Sequence, residues 1–174
     1  CAGRPYATVS MLDARADGQR VDAAAPLAKF ARLINADPDE VAYVQSTTAG
    51  EQMILRALGL PEEGAHIVTD TLHFFGSLPL YEEMAKQGCD VTWLRPVDGR
   101  IRIADVRAAL ARRTKLVALS LVSTVNGFEH DLKAVCDLAH AAGAKVVLDN
   151  VFATPLLQQG MPLGADVVVY SGTK

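Results

Sequence analysis

Cysteine is scarce in this chain. Three occur in 174 residues, Cys1, Cys89 and Cys136, and no two form a CxxC pair. Odd in number and widely spaced, they argue against a disulfide framework and against a zinc site, and they suit a reducing cytoplasm. Long apolar runs are missing as well. Half of the residues are hydrophobic, yet stretches such as Val146-Val147-Leu148 or Val167-Val168-Val169-Tyr170 are cut by Asp, Asn or Gly. None approaches the roughly 18 apolar residues a membrane helix needs. The N-terminus Cys-Ala-Gly-Arg-Pro has no apolar signal-peptide core, so no membrane partner is expected. Charge of one sign is not concentrated either. The net charge is −3, and the one tight basic cluster, Arg112, Arg113 and Lys115, reads as a solvated helix end rather than a nucleic-acid patch. No GxGxxG follows any apolar run, which disfavours a Rossmann-like nucleotide-binding module, and the P-loop frame is absent. No residue set suggests a metal site.

What is present is an alternation of helix and strand patterns. Asp22 can cap a helix over Ala23–Leu33, with Leu27, Phe30, Ala31 and Ile34 on one face. The spacing then predicts strands at Val41–Gln45, His66–Asp70, Val91–Leu94, Leu116–Val122, Lys145–Asp149 and Asp166–Tyr170. Between them it predicts helices from Thr47 or Thr48 to Leu58, then at Leu78–Gln87, Ala104–Ala111 and Leu132–Ala142. The strands are continuous apolar runs, so both their faces are buried. That implies an α/β fold of three layers, a mainly parallel sheet flanked by helices. Residues 1–40 read as an N-terminal segment with one helix and residues 41–174 as the ligand-binding domain. The chain stops on Lys174 directly after an apolar strand, and we expect it to be a fragment of a longer protein.

In such sheets ligands sit beyond the carboxyl ends of the strands. After the strand at Val41 comes Ser46-Thr47-Thr48-Ala49-Gly50. Its hydroxyls and free N–H groups at a helix start make an anion site that phosphate fits; ordinary N-capping accounts for the same residues. After Leu148 comes Asp149, a carboxylate that a protonated ring nitrogen would partner and that a turn cap would equally explain. After the last strand come Ser171, Gly172, Thr173 and Lys174, two hydroxyls beside a nucleophilic amine. His73, next to Phe74 and Phe75, could stack on a flat heteroaromatic ligand, although a lone His in an aromatic loop is more often structural. His66, His130 and His140 look structural or exposed. Ser123, Thr124 and Asn126 add polar groups at the same edge. Together these features suggest a phosphorylated heteroaromatic aldehyde.

These residues carry two resemblances. Leu138–Lys145, Leu148–Gln158 and Leu163–Lys174 resemble the Cys/Met-metabolism enzymes of fold type I that use pyridoxal 5′-phosphate (PLP), in particular the O-succinylhomoserine sulfhydrylase group. Asp149 stands 25 positions before Lys174, which suits that group. Val44–Glu51, Thr71–Ser77 and Leu121–Gly127, within residues 4–136, resemble the class V aminotransferase fold of cysteine desulfurases and isopenicillin N epimerase-like proteins. Two departures accompany them. The Ser-Gly-Met and Tyr-Gly-Gly segments usual in Cys/Met enzymes are missing, and Phe152 stands where class V enzymes usually have Gln.

The resemblance implies the large domain of a PLP-dependent enzyme without its C-terminal small domain. Lys174 would hold PLP as a Schiff base and Asp149 would pair with the pyridine nitrogen. His73 would stack on the ring. Thr47, Thr48, Ala49, Ser171 and Thr173 would hold the phosphate, with Thr124 or Asn126 near the ring hydroxyl. The substrate would be an amino acid whose amine displaces Lys174, and the preferred chemistry is at a carbon–sulfur bond, as in lyases and sulfhydrylases. A class V aminotransferase or epimerase is the first alternative and a catalytically inactive fragment another. The resemblance also implies a homodimer for the full-length form.

Overall fold

In the computed structural model, residues 6–10 and 24–172 are described, the first group by its backbone alone. Seven strands and six helices alternate along the described chain. They are β1 (Tyr6–Ser10), α1 (Ala24–Leu33), β2 (Val41–Val44), α2 (Thr47–Ala57), β3 (His66–Asp70), α3 (Leu78–Lys86), β4 (Asp90–Leu94), α4 (Ile103–Ala109), β5 (Thr114–Ser120), α5 (Leu132–Ala141), β6 (Lys145–Asp149), α6 (Thr154–Leu157) and β7 (Val167–Ser171). One sheet runs in the order β2-β1-β7-β6-β5-β3-β4, and every paired neighbour is parallel.

The continuous apolar strands are explained by what covers them. Alternate residues of each strand face opposite layers. Ile67, Leu116, Ala118 and Val147 pack with Leu55 of α2 and Tyr81 and Met84 of α3. Val68, Val117, Leu119, Val146 and Leu148 pack with Ala31 of α1, Val106 of α4 and Val135, Cys136 and Ala139 of α5. The sheet is therefore the middle of three layers, as its apolar pattern predicts. Leu27 and Phe30 of α1 lie partly buried against the second cluster, and Ala31 and Ile34 are buried in it.

Three differences from the sequence reading matter. The N-terminal segment contributes β1, which pairs with β2 on one side and β7 on the other; the expected cap Asp22 lies outside the described residues. β5 ends at Ser120 rather than Val122, because Val122 leaves the ladder to bridge Glu129 across a hairpin. The short α6 was not anticipated. The basic cluster is engaged in surface ion pairs, Arg113 with Asp90 and Lys115 with Glu62. No helix among the described residues is long and apolar enough to cross a membrane.

Candidate active site

Parallel strands bring all their carboxyl ends to one edge. Val44, Asp70, Ser120, Asp149 and Ser171 close β2, β3, β5, β6 and β7 there. The ladder sets Ser120 opposite Asp149, and Asp149 opposite Val169. The loops that follow these ends carry almost every residue singled out above.

After β2 the chain turns directly into α2. Ser46 is its N-cap, held extended at φ −159° and ψ 164°, and its hydroxyl accepts the Ala49 N–H at 3.1 Å. The expected caps, Thr47 and Thr48, are instead the first two helical residues. Their side chains and Ala49 are half-buried, and the Thr48 hydroxyl donates to the Gly76 carbonyl at 3.4 Å. The first N–H groups of a helix lack intrahelical acceptors and lie at the positive end of its dipole. Such a helix start favours a negative charge, and here it is held against the loop that follows β3.

Asp149 closes β6, 6 % exposed. Its Oδ1 accepts the Val151 N–H at 2.9 Å, so the turn-cap role open at sequence level is realised by one of its two oxygens. The next residue, Asn150, is fully buried and donates from Nδ2 to the Gln158 carbonyl at 2.8 Å. That bond pins the loop after β6.

His73 follows β3 and is 1 % exposed. Its Nδ1 lies 2.8 Å from the Ser120 hydroxyl oxygen, which also accepts the Phe74 N–H at 3.0 Å. Its Nε2 lies 3.5 Å from Oε2 of Glu51. Glu51 is equally buried, on α2, and accepts from the Ser77 hydroxyl at 2.8 Å and from the Tyr81 hydroxyl at 3.0 Å. Burial alone would lower the His73 pKa, but the carboxylates of Glu51, Asp149 and Asp70 outweigh it and raise the value above that of a free histidine. A second buried pair lies beside it: Asp70 accepts the Leu72 N–H at 2.7 Å and its other oxygen is 3.2 Å from His130 Nε2. Sequence reasoning missed Glu51, Ser77, Tyr81, Asp70 and Ser120. The one signal was Ser77 and Tyr81 recurring four residues apart on the α3 start, and it is weak.

Thr124 and Asn126 sit on the exposed hairpin after β5. Both ends of the Asn126 amide are used there, Nδ2 donating to the Gly99 carbonyl at 2.7 Å and Oδ1 accepting the Phe128 N–H at 3.0 Å. Asn126 lines an open cleft of about 470 Å³ with Asp98, Arg100 and Glu129. Ser123 is buried, its hydroxyl accepting the Val125 N–H at 3.1 Å. Ser171 is half-buried at the end of β7. Thr173 and Lys174 lie outside the described residues. Of the other histidines, His66 and His130 are buried, whereas His140 pairs at the surface with Asp166. Among the described residues no cluster could hold a metal ion.

The profile of the aminotransferase class-V family matches residues 14–174. A stretch of 44 residues is 86 % identical to O-succinylhomoserine sulfhydrylase of Mycobacterium tuberculosis, covering 25 % of this chain and 11 % of that protein. Over 153 residues the chain is 29 % identical to a probable cysteine desulfurase of Halalkalibacterium halodurans, covering 84 % of this chain and 37 % of that one. The crystal structure of a cystathione gamma lyase from Micromonospora echinospora superposes with a TM-score of 0.62 at 34 % identity, over 74 % of this chain and 32 % of that one. The chain thus spans between about a tenth and a little over a third of these relatives.

Proposed function

The chain belongs to the class V aminotransferase family, a group of PLP enzymes, and we propose that its strand-end edge binds this cofactor with Lys174 as covalent anchor. The observation that supports this most is the pairing, on one sheet edge, of a nearly buried carboxylate, Asp149, with the open N-terminus of α2. An anionic group and a ring cation on one ligand match those two features, so the residues present fit the group. When bound, PLP supplies an electron sink that makes a substrate Cα–H acidic.

The chain's residues would do the rest. Asp149 would hold the ring nitrogen protonated. Thr47, Thr48 and Ala49, with Ser171 and Thr173, would hold the phosphate. His73 would flank the ring, and Thr124 or Asn126 would contact its hydroxyl. Lys174 would serve as the base that moves the Cα proton.

For the reaction we favour carbon–sulfur chemistry on an amino acid, as the names of the sulfhydrylase and lyase relatives indicate. A desulfurase-type reaction needs a nucleophilic thiol. Among the described residues both cysteines are buried, and burial pushes the Cys136 thiol up to about 12. The second reading is a class V aminotransferase or epimerase, which the family match keeps in view. A cytoplasmic homodimer is proposed for the full-length form.

The test is direct. The purified chain incubated with PLP should develop the absorbance band of lysine-bound cofactor, and Lys174→Ala should abolish it. A band of equal strength in the variant would overturn the assignment. Release of sulfide, pyruvate or 2-oxobutyrate from sulfur amino acids separates lyase from aminotransferase chemistry.

A further inference from the structure

A buried carboxylate with three donors around it needs an explanation beyond packing. Glu51 is 1 % exposed, on the buried face of α2 that it shares with Gly50 and Leu55. Placing an uncompensated carboxylate there is costly, and it is tolerated only when hydrogen bonds and an opposite charge offset the loss of water. Ser77 and Tyr81 supply two neutral donors from α3 and its cap. The one cation-forming group within reach among the described residues is His73, with Nε2 3.5 Å away.

His73 is gripped on its other side as well. Its Nδ1 faces the Ser120 oxygen, and that oxygen already accepts from Phe74. Nε2 makes no hydrogen bond among the described residues, and the opposite charge nearest to it is the Glu51 carboxylate at 3.5 Å. A neutral imidazole has one N–H to donate, whereas an imidazolium donates at both positions. The ring is also bounded by Tyr81, centroid to centroid at 5.7 Å.

We propose that Glu51 is the positioning residue of His73, holding the imidazole in one orientation at the cofactor edge. This rests on the reading that the strand-end edge is the cofactor site. The charged groups facing His73 are Glu51 of α2, Asp70 at the end of β3 and Asp149 at the end of β6, with Tyr81 of α3 as a neutral neighbour; Asp70 is itself shared with His130. Three carboxylates at one edge would repel an anionic cofactor. A fixed imidazolium offsets one of them where the ring and phosphate would enter. Glu51 thus acts on the ligand through His73 and need not touch it.

The experiment reads the histidine itself. The His73 ring in the cofactor-free chain is titrated by ¹⁵N-detected NMR from pH 5 to 9, its signals assigned with His73→Gln. In the native chain the midpoint should lie above that of a free histidine. In Glu51→Gln it should fall, because burial then meets less opposing charge. Tyr81→Phe removes one donor from Glu51, concentrates its charge on His73 and should move the midpoint upward. This second variant decides the matter if Glu51→Gln does not fold. An unmoved midpoint in the variants that fold overturns the proposal. The titration needs no PLP, so it succeeds or fails separately from the cofactor band of Lys174.

Discussion

At the scale of single residues, environment overrides the chemistry a residue type suggests. Cys136 packs on α5 against Gly164, whose backbone leaves no room for a side chain: an added Cβ would lie 2.9 Å from the Cys136 Cβ. Burial, with the nearby Asp166 and Asp137, raises this thiol to about 12. The thiolate is the reactive form, so a rise of about three units cuts it roughly a thousandfold. We predict that iodoacetamide at pH 8 leaves Cys136 unmodified in the folded chain and labels it in urea, as site-resolved mass spectrometry would record; labelling of both forms at one rate would contradict the burial. The same contrast governs what was legible at this scale. Asp149 could be read from the sequence because a carboxylate that ends a buried strand is conspicuous. Glu51 could not, since Glu beside Gln52 in an amphipathic helix reads as a solvated face. Only Ser77, Tyr81 and His73, brought in by tertiary structure, make it a buried charge.

At the scale of elements, the start of α2 combines a structural cap with the proposed anion site, and the two roles are separable. Ser46→Ala removes the bond to the Ala49 N–H and should cost about 1 kcal/mol of stability, measured by urea unfolding. Ser46→Asp keeps an acceptor at the cap and should leave stability within about 0.5 kcal/mol of native. It also sets a negative charge beside the helix N–H groups, so PLP binding should weaken at least tenfold in a fluorescence titration. Equal PLP affinity in the native chain and Ser46→Asp would remove α2 from the phosphate site. The strands and long helices were legible because burial on both sheet faces leaves uninterrupted apolar runs. The end of β5 was not, since Val122 continues the apolar run although it has turned from the sheet to bridge Glu129 in the hairpin. β1 was not either. Its five residues owe their strand state to partners some 30 and 160 positions away, and local pattern carries no trace of such pairing.

At the scale of the whole molecule, two buried histidines at opposite ends of β3 set opposing pH responses. His66 opens the strand with its ring nitrogens 2.7 Å from the Thr114 hydroxyl and 2.8 Å from the Thr92 hydroxyl, and burial lowers its pKa despite Asp90. His73 lies past the other end with a raised pKa: burial opposes the charge but the carboxylates of Glu51, Asp149 and Asp70 prevail. A raised folded-state pKa adds stability that is complete below the unfolded value, near 6.5, and disappears as pH climbs through the folded value. A lowered one adds stability that is complete above about 6.5 and is lost as pH falls through the folded value. His73→Gln should therefore weaken the chain more at pH 5.5 than at pH 8.5, and His66→Gln should do the reverse. Urea unfolding of the cofactor-free variants at both pH values checks this. Glu51→Gln should flatten the His73 response while leaving that of His66 intact, because Glu51 bears only on the far end of the strand. Parallel pH profiles for the two histidine variants would mean that the carboxylates at the strand-end edge do not act on His73 as a charged set.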